Sequence, residues 1–217
     1  KSHPLKSQNR PLASGHVSAI AARVALTLGV IGLATGLFVI PAAMLPIGGY
    51  IAINVVYSLF ARKVPVLDIF TIAFGFVLRV VAGALAIGEP LSAWMFVTTL
   101  CLALYLAAMK RRHELKNLGS KSRSSLETYT VAVVERFAEI SATAALVCYA
   151  IFVVTVKAML VYTIPIVAFG LFRYWFLAER LKSAESPTEA MLRDWQLVVA
   201  VLLWVSVCGG VLLFAGH

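Results

Sequence analysis

A chain of 217 residues that is 61% hydrophobic and only 13% charged, with a mean hydropathy of +0.90, is excluded from the water-soluble domains, whose surfaces need roughly a quarter charged residues. The net charge of +9 would suit a nucleic-acid binder, but the basic residues lie in short segments between apolar runs, which excludes nucleic acid as a partner and makes lipid the solvent. The apolar runs are far longer than strands and do not alternate, so the fold class predicted is all-α, a polytopic membrane helical bundle.

The opening segment, KSHPLKSQNRPLASG, is basic and polar, carries no apolar core of the signal-peptide kind, and reads as a loop. Seven transmembrane helices follow, at about 17–39, 43–60, 67–87, 91–109, 132–155, 158–178 and 195–215, each near the ~20 residues that cross a bilayer. FVIPAAMLP, with two prolines, marks a tight turn between the first two. Cys101, Cys148 and Cys208 all fall in apolar runs, where a thiol is a small hydrophobe, and imply no disulfide framework. Neither an internal repeat nor a soluble segment is visible, so residues 1–217 read as one membrane domain.

Positive charge is divided unevenly between the connections. One alternate set holds Lys1, Lys6, Arg10, Arg62, Lys63, Lys110, Arg111, Arg112, Lys116, Lys121, Arg123, Arg180, Lys182 and Arg193, whereas the opposite set holds Lys157 alone. The positive-inside rule then puts the N-terminus and the larger set in the cytoplasm and His217 outside, in a multi-pass protein of the cell membrane. Arg23, Arg136 and Arg173 sit near that cytoplasmic edge and can snorkel. Arg79 is deeper, and a charge there costs at least ~2.5 kcal/mol on insertion scales unless it faces a cavity or a partner.

Two constellations carry chemistry. In the third span, VPVLDIFTIAFGFVLRVVAGA, the spacing of Asp68, Gly75, Arg79 and Gly83 predicts one inward face of acid, small residue, base and small residue; the alternative is a packing face whose Arg79 pairs with another helix. After the fourth span, KRRHELKNLGSKSRSSLETY offers Lys110, Arg111 and Arg112 for phosphate groups, with Glu114 one turn beyond Lys110 as a Mg²⁺ ligand. The same run also reads as a patch for lipid headgroups. Glu135 and Glu139 share a helix face but read as a solvated interface beside Arg136. Asp68 and Asp194 are the chain's two aspartates, so no aspartate-rich metal motif is present, and no Walker loop or HExxH occurs.

HPLKSQNRPLASG resembles the end of the first signature of UbiA-superfamily prenyltransferases, an NDxxDxxxD run followed by HPxKxxRPxAxG. YSLFARKVPVLDIFTIAFGFVLRVVAGA, MKRRHELKNLG, TIPIVAFGLFRYWF and SPTEAMLRDWQLVVAVLLW are similar to the decaprenyl-phosphate phosphoribosyltransferase branch, in the same order and over nearly the whole chain. The resemblance implies a nine-helix fold of which the seven spans are the third to ninth, with the first two helices and the aspartate motif lying before residue 1. It implies Mg²⁺-dependent transfer of 5-phosphoribose from phosphoribosyl pyrophosphate to a polyprenyl phosphate, in the service of cell-wall arabinose donors. By motif, Lys6 and Arg10 would contact phosphates, Tyr57 and Asp68 would line the cavity, and Arg79 would hold a phosphate deeper. By the same motif Lys63 would be a further ligand, although Ala61 to Lys63 departs from the expected leucine and lysine. Lys110 and Arg111 would bind diphosphate, Glu114 metal, and Arg123 and Tyr129 would close the site. The rival readings are a prenyltransferase acting on an aromatic acceptor, against which KRRHE counts because it replaces a DxxxD, and a small transporter, which would show inverted repeats.

Overall fold

The computed structural model describes residues 40–89, 91–118, 129–180 and 191–214, together with Thr27, Gly29 and Gly36. The chain divides into two units, Lys1–Leu45 and Pro46–His217. In the first, a 3-10 turn spans Pro41–Ala43 with proline at its start, and the Ile40 N–H donates to the Gly36 carbonyl at 2.9 Å. The expected first span at 17–39 lies almost wholly outside the described residues, as do Lys6, Arg10 and Arg123.

Among the described residues the longer helices that follow are α1 Met44–Leu59, α2 Leu67–Ala86, α3 Ala93–Leu118, α4 Val131–Val156, α5 Ile164–Arg180 and α6 Trp195–Phe214, with 3-10 turns at Ala61–Lys63 and Ala158–Thr163. Among the described residues, five helical stretches are long and apolar enough to cross a membrane, and Trp195–Val211 is a shorter apolar one. Large apolar side chains such as Ile140, Val154, Phe172 and Leu202 stand exposed, as expected where hydrocarbon and not water is the solvent. The chain is a polytopic membrane helical bundle.

The helix ends have local causes. Ser92 accepts the Met95 N–H at 3.1 Å, Thr130 accepts the Val133 N–H, and Asp194 accepts the Leu197 N–H at 2.8 Å, each occupying a donor that a helix start leaves over. Gly88, at φ 75°, ends α2 in the left-handed conformation that glycine alone adopts without strain. One boundary moves: the span expected at 91–109 is the lower part of a helix that continues through Lys110, Arg111, Arg112 and Glu114 to Leu118. Those residues are good helix formers, and Arg111 and Arg112 are held by partners on neighbouring helices.

Packing runs from α2 to α3, α3 to α4, α4 to α5 and α5 to α6. One buried cluster joins Ile69, Tyr105, Met109, Tyr129, Val134, Ala138, Tyr174 and Leu197, so it draws on α2 through α6. Tyr105 stacks on Trp175 with ring centroids 6.2 Å apart and donates to the Leu171 carbonyl at 3.2 Å. A second cluster around Tyr149, Phe152, Val153 and Leu160 packs the opposite ends of α4 to α6, where Trp204 donates to the Tyr149 hydroxyl at 2.9 Å.

The alternation has a simple consequence. The C-terminal ends of α1, α3 and α5 and the N-terminal ends of α2, α4 and α6 gather at one end of the bundle, and that is the end carrying the basic connections.

Candidate functional site

The site is built where α1, α2 and α3 meet. The chain enters α2 through a γ-turn in which the Leu67 N–H donates to the Pro65 carbonyl at 2.8 Å, with Val66 between them at φ 67°, ψ −49°. A β-branched residue at positive φ is strained by ~1–3 kcal/mol and persists only where its surroundings fix it. Here the Val66 N–H donates to the Tyr129 hydroxyl, which in turn donates to Asp68 Oδ1 at 2.9 Å. Burial, and secondarily the Asp68 carboxylate, push the Tyr129 phenol above its ordinary pKa, so it stays protonated and able to donate. Replacing Val66 with glycine should raise stability by about 1 kcal/mol, the relieved strain less the added chain entropy, since Val66 is 42% exposed and gives up only part of a buried side chain. Unfolding in mixed micelles would show it.

Asp68 is 0% exposed. Its Oδ2 accepts from Arg111 Nε at 2.6 Å, while Arg111 Nη1 donates to Glu114 Oε2 at 2.5 Å and Nη2 to the Tyr57 hydroxyl at 3.0 Å. Arg111 is therefore also fully buried, with each of its three nitrogens spoken for. Five of the residues expected from the sequence, Tyr57, Asp68, Arg111, Glu114 and Tyr129, form one connected network. Its formal charge is −1, two carboxylates against one guanidinium, so this core does not itself attract a diphosphate. Arg62, Lys63 and Lys110 are exposed at the same end of the bundle, and among the described residues none pairs with a carboxylate. With Arg180 and Arg193, which are exposed at the same end, they are among the cations that an anionic ligand can meet.

Arg79 lies elsewhere. It is eleven residues along α2 from Asp68, about 16 Å at the helical rise, exposed, donating from Nη2 to the Tyr50 hydroxyl at 2.7 Å and lying over the Tyr50 and Phe76 rings at 4.7 and 4.8 Å. The expected single inward stripe is corrected accordingly: Asp68 and Gly75 are buried, whereas Arg79 and Gly83 are exposed. The buried residues of α2 all lie between Asp68 and Val77, and α1 meets this face through Tyr50 and Ile53. Nor do the glycines serve close helix approach. A Cβ on Gly75 would meet the Tyr50 ring at 3.6 Å, an ordinary contact, and one on Gly83 would meet nothing within 4 Å.

Sequence reasoning missed a second network beside the first. Arg112, 2% exposed, donates from Nε to Glu135 at 2.7 Å and from Nη2 to Glu179, and Lys116 pairs with Glu179 at 3.0 Å. Glu135 is thus part of an ion-pair junction of α3, α4 and α5 and not a solvated face. The signal was available: adjacent arginines point about 100° apart on a helix and must serve different neighbours, and Glu135 and Glu179 are acids at the same bundle end. Arg173 likewise does not simply snorkel. Its Nε and Nη2 donate to the two oxygens of Asp194 at 3.1 and 2.6 Å, tying α5 to the start of α6.

That last pair predicts a pH dependence. The Arg173 hydrogen bonds hold the Asp194 carboxyl below its ordinary pKa, so the tie contributes fully above the unfolded value, about 3.9, and its contribution is lost as pH falls through the lower folded value. Asp194→Asn should flatten the fall of the thermal midpoint below about pH 4, recorded against wild type in the same detergent.

A Mg²⁺ ion, implied by the resemblance, needs about six oxygen ligands. Among the described residues no three acid, histidine or cysteine side chains converge, Asp68 has both oxygens engaged, and Glu114 shares one with Arg111. These residues do not by themselves make a Mg²⁺ site.

Comparison with known proteins bears on the whole chain. Decaprenyl-phosphate phosphoribosyltransferase of Mycolicibacterium smegmatis is 30% identical over 232 aligned positions, covering 99% of this chain and 72% of that protein. The protein of the same name from Mycobacterium tuberculosis H37Rv is 29% identical, with 99% and 73% covered, and that from Corynebacterium glutamicum is 31% identical, with 94% and 65% covered. The profile of the UbiA prenyltransferase family matches residues 3–198, nearly the whole sequence, and the chain belongs to that family.

Proposed function

We propose that this protein transfers 5-phosphoribose from phosphoribosyl pyrophosphate to a polyprenyl phosphate of the decaprenyl type, releasing diphosphate, at the cation-rich end of the bundle on the cytoplasmic side. The observation that carries the reading is the convergence of Tyr57, Asp68, Arg111, Glu114 and Tyr129 at that end, in a chain similar to proteins that bear this activity in their names. The use of the product for cell-wall arabinan belongs to the same reading.

The chemistry suits a membrane mouth. The bond from the ribose anomeric carbon to the diphosphate oxygen breaks, the diphosphate leaves with the electron pair, and an oxygen of the lipid phosphate forms the new bond. That oxygen is anionic at neutral pH, so no general base is required. Exposed Arg62, Lys63 and Lys110 supply positive charge for the leaving diphosphate, while buried Asp68 and Glu114 place negative charge where the anomeric carbon becomes positive. Water is the competing acceptor, and an apolar bundle limits its access.

The test is label transfer in membranes. The chain, alone and joined to the part of the mycobacterial relative that it does not span, is incubated with labelled phosphoribosyl pyrophosphate, polyprenyl phosphate and Mg²⁺. Label in the lipid fraction, reduced at least tenfold by Lys110→Ala combined with Lys63→Ala, is the expected result; about tenfold corresponds to 1.4 kcal/mol of transition-state stabilisation. A well-folded protein that labels no lipid, yet moves a prenyl group from a prenyl diphosphate to an aromatic acceptor, overturns the reading.

A further inference from the structure

We infer that Arg111 is a tethered counter-cation standing between Asp68 and Glu114, so that this pair of carboxylates holds a guanidinium and takes no divalent cation. The resemblance assigns Glu114 to metal; the bonding around it points the other way.

Occupancy comes first. Asp68 is sealed, with Oδ2 on Arg111 and Oδ1 on Tyr129, and the Tyr129 hydroxyl is itself engaged by the Val66 N–H. Glu114 contributes Oε2 to the same guanidinium and is 11% exposed at its side chain. A hard cation entering here would have to strip a buried carboxylate of both its donors, and no third acid, histidine or cysteine side chain among the described residues converges on the pair to help hold it.

Electrostatics agree. Two carboxylates and one guanidinium leave −1, whereas a divalent cation added to the three would leave +1 in a dry junction. Expelling Arg111 instead would strand a charge that cannot lose its proton, since the nearby acids Glu135 and Glu179 are bound to Arg112 and Lys116. The planar fork also does what a metal cannot. It aims one nitrogen at α2, one at Glu114 on its own helix and one at Tyr57 on α1, fixing three helix ends through a single side chain. Whatever Mg²⁺ the reaction uses is held away from this pair. The inference concerns metal stoichiometry and stands whichever group is transferred.

Bound Mn²⁺, a spectroscopic stand-in for Mg²⁺, can be counted by electron paramagnetic resonance on the purified chain in lipid nanodiscs. Wild type, Asp68→Asn and Glu114→Gln should bind equal numbers of Mn²⁺. Arg111→Met, which removes the guanidinium from between the two carboxylates, should bind about one more per chain, and Arg111→Met/Glu114→Gln should lose it again. Loss of a wild-type Mn²⁺ in Glu114→Gln or Asp68→Asn overturns the inference, as does a folded Arg111→Met with no added Mn²⁺. If Arg111→Met does not fold, the comparison of wild type with Glu114→Gln decides alone.

Discussion

Asp68→Ala should lower the unfolding free energy by about 3–5 kcal/mol, the cost of breaking a buried ion pair from one side. The substitution leaves Arg111 buried with a single acid, Glu114, and removes the acceptor from the Tyr129 hydroxyl. It also removes the anchor of a strained turn, because the hydroxyl that bonds Asp68 is the one that receives the Val66 N–H. Asp68→Asn keeps a carbonyl for Tyr129 and loses only the charge, so it should cost roughly half as much, near the 1.5–3 kcal/mol of a hydrogen bond to a charged group. Asp68→Ala/Arg111→Met should be less damaging than the sum of its single variants, with a coupling of about 1–3 kcal/mol. Unfolding by SDS in mixed micelles measures wild type and the four variants, Arg111→Met included. An Asp68→Ala variant as stable as wild type would mean that the Asp68 to Arg111 contact carries no stability.

Much of this molecule was legible before any coordinates. Among the described residues, apolar runs located every expected helix, because hydrocarbon leaves the backbone no other way to satisfy itself, but they missed the continuation of α3 to Leu118 and the start of α5 at Ile164. Asp68, Arg111 and Glu114 stood out as charged residues in or just beyond an apolar span, whereas Tyr57 and Tyr129 came only from the family resemblance. The partners of each were not legible. Sequence spacing places Asp68 and Arg79 on one face, but it says nothing of how much of that face a neighbouring helix covers, and Arg79 is left about 16 Å from the network. Arg111 looked like a phosphate ligand because a guanidinium suits either a phosphate or a carboxylate, and only the approach of α2 to α3 selects the second. Glu135 looked solvated because its partner, Arg112, lies 23 residues earlier and Glu179 lies 44 later, separations to which periodicity is blind.

Arg112→Ala is the second large effect expected, about 2–4 kcal/mol, and its logic differs from that of Asp68. Arg112 is the buried centre of its network, whereas Glu135 and Glu179 are 31% and 52% exposed at their side chains and can rehydrate once the arginine is gone. The loss is therefore one of connection. A single guanidinium ties the end of α3 to the start of α4 and the end of α5, and it lies 5.9 Å from the Trp175 ring. Glu179→Gln, at the exposed rim, should cost no more than about 1 kcal/mol. Arg112→Lys should behave nearly as badly as the alanine variant, because one ammonium cannot present a planar fork to two acids on different helices. The functional consequence follows from adjacency. Arg111 is the next residue on the same turn, so freeing the end of α3 shifts the group that holds Asp68, Glu114 and Tyr57 together. Label transfer by Arg112→Ala should fall at least tenfold under conditions where the protein is still folded, while Glu179→Gln retains it. Equal activity in Arg112→Ala and wild type would show that Arg112 fastens helices without positioning the site.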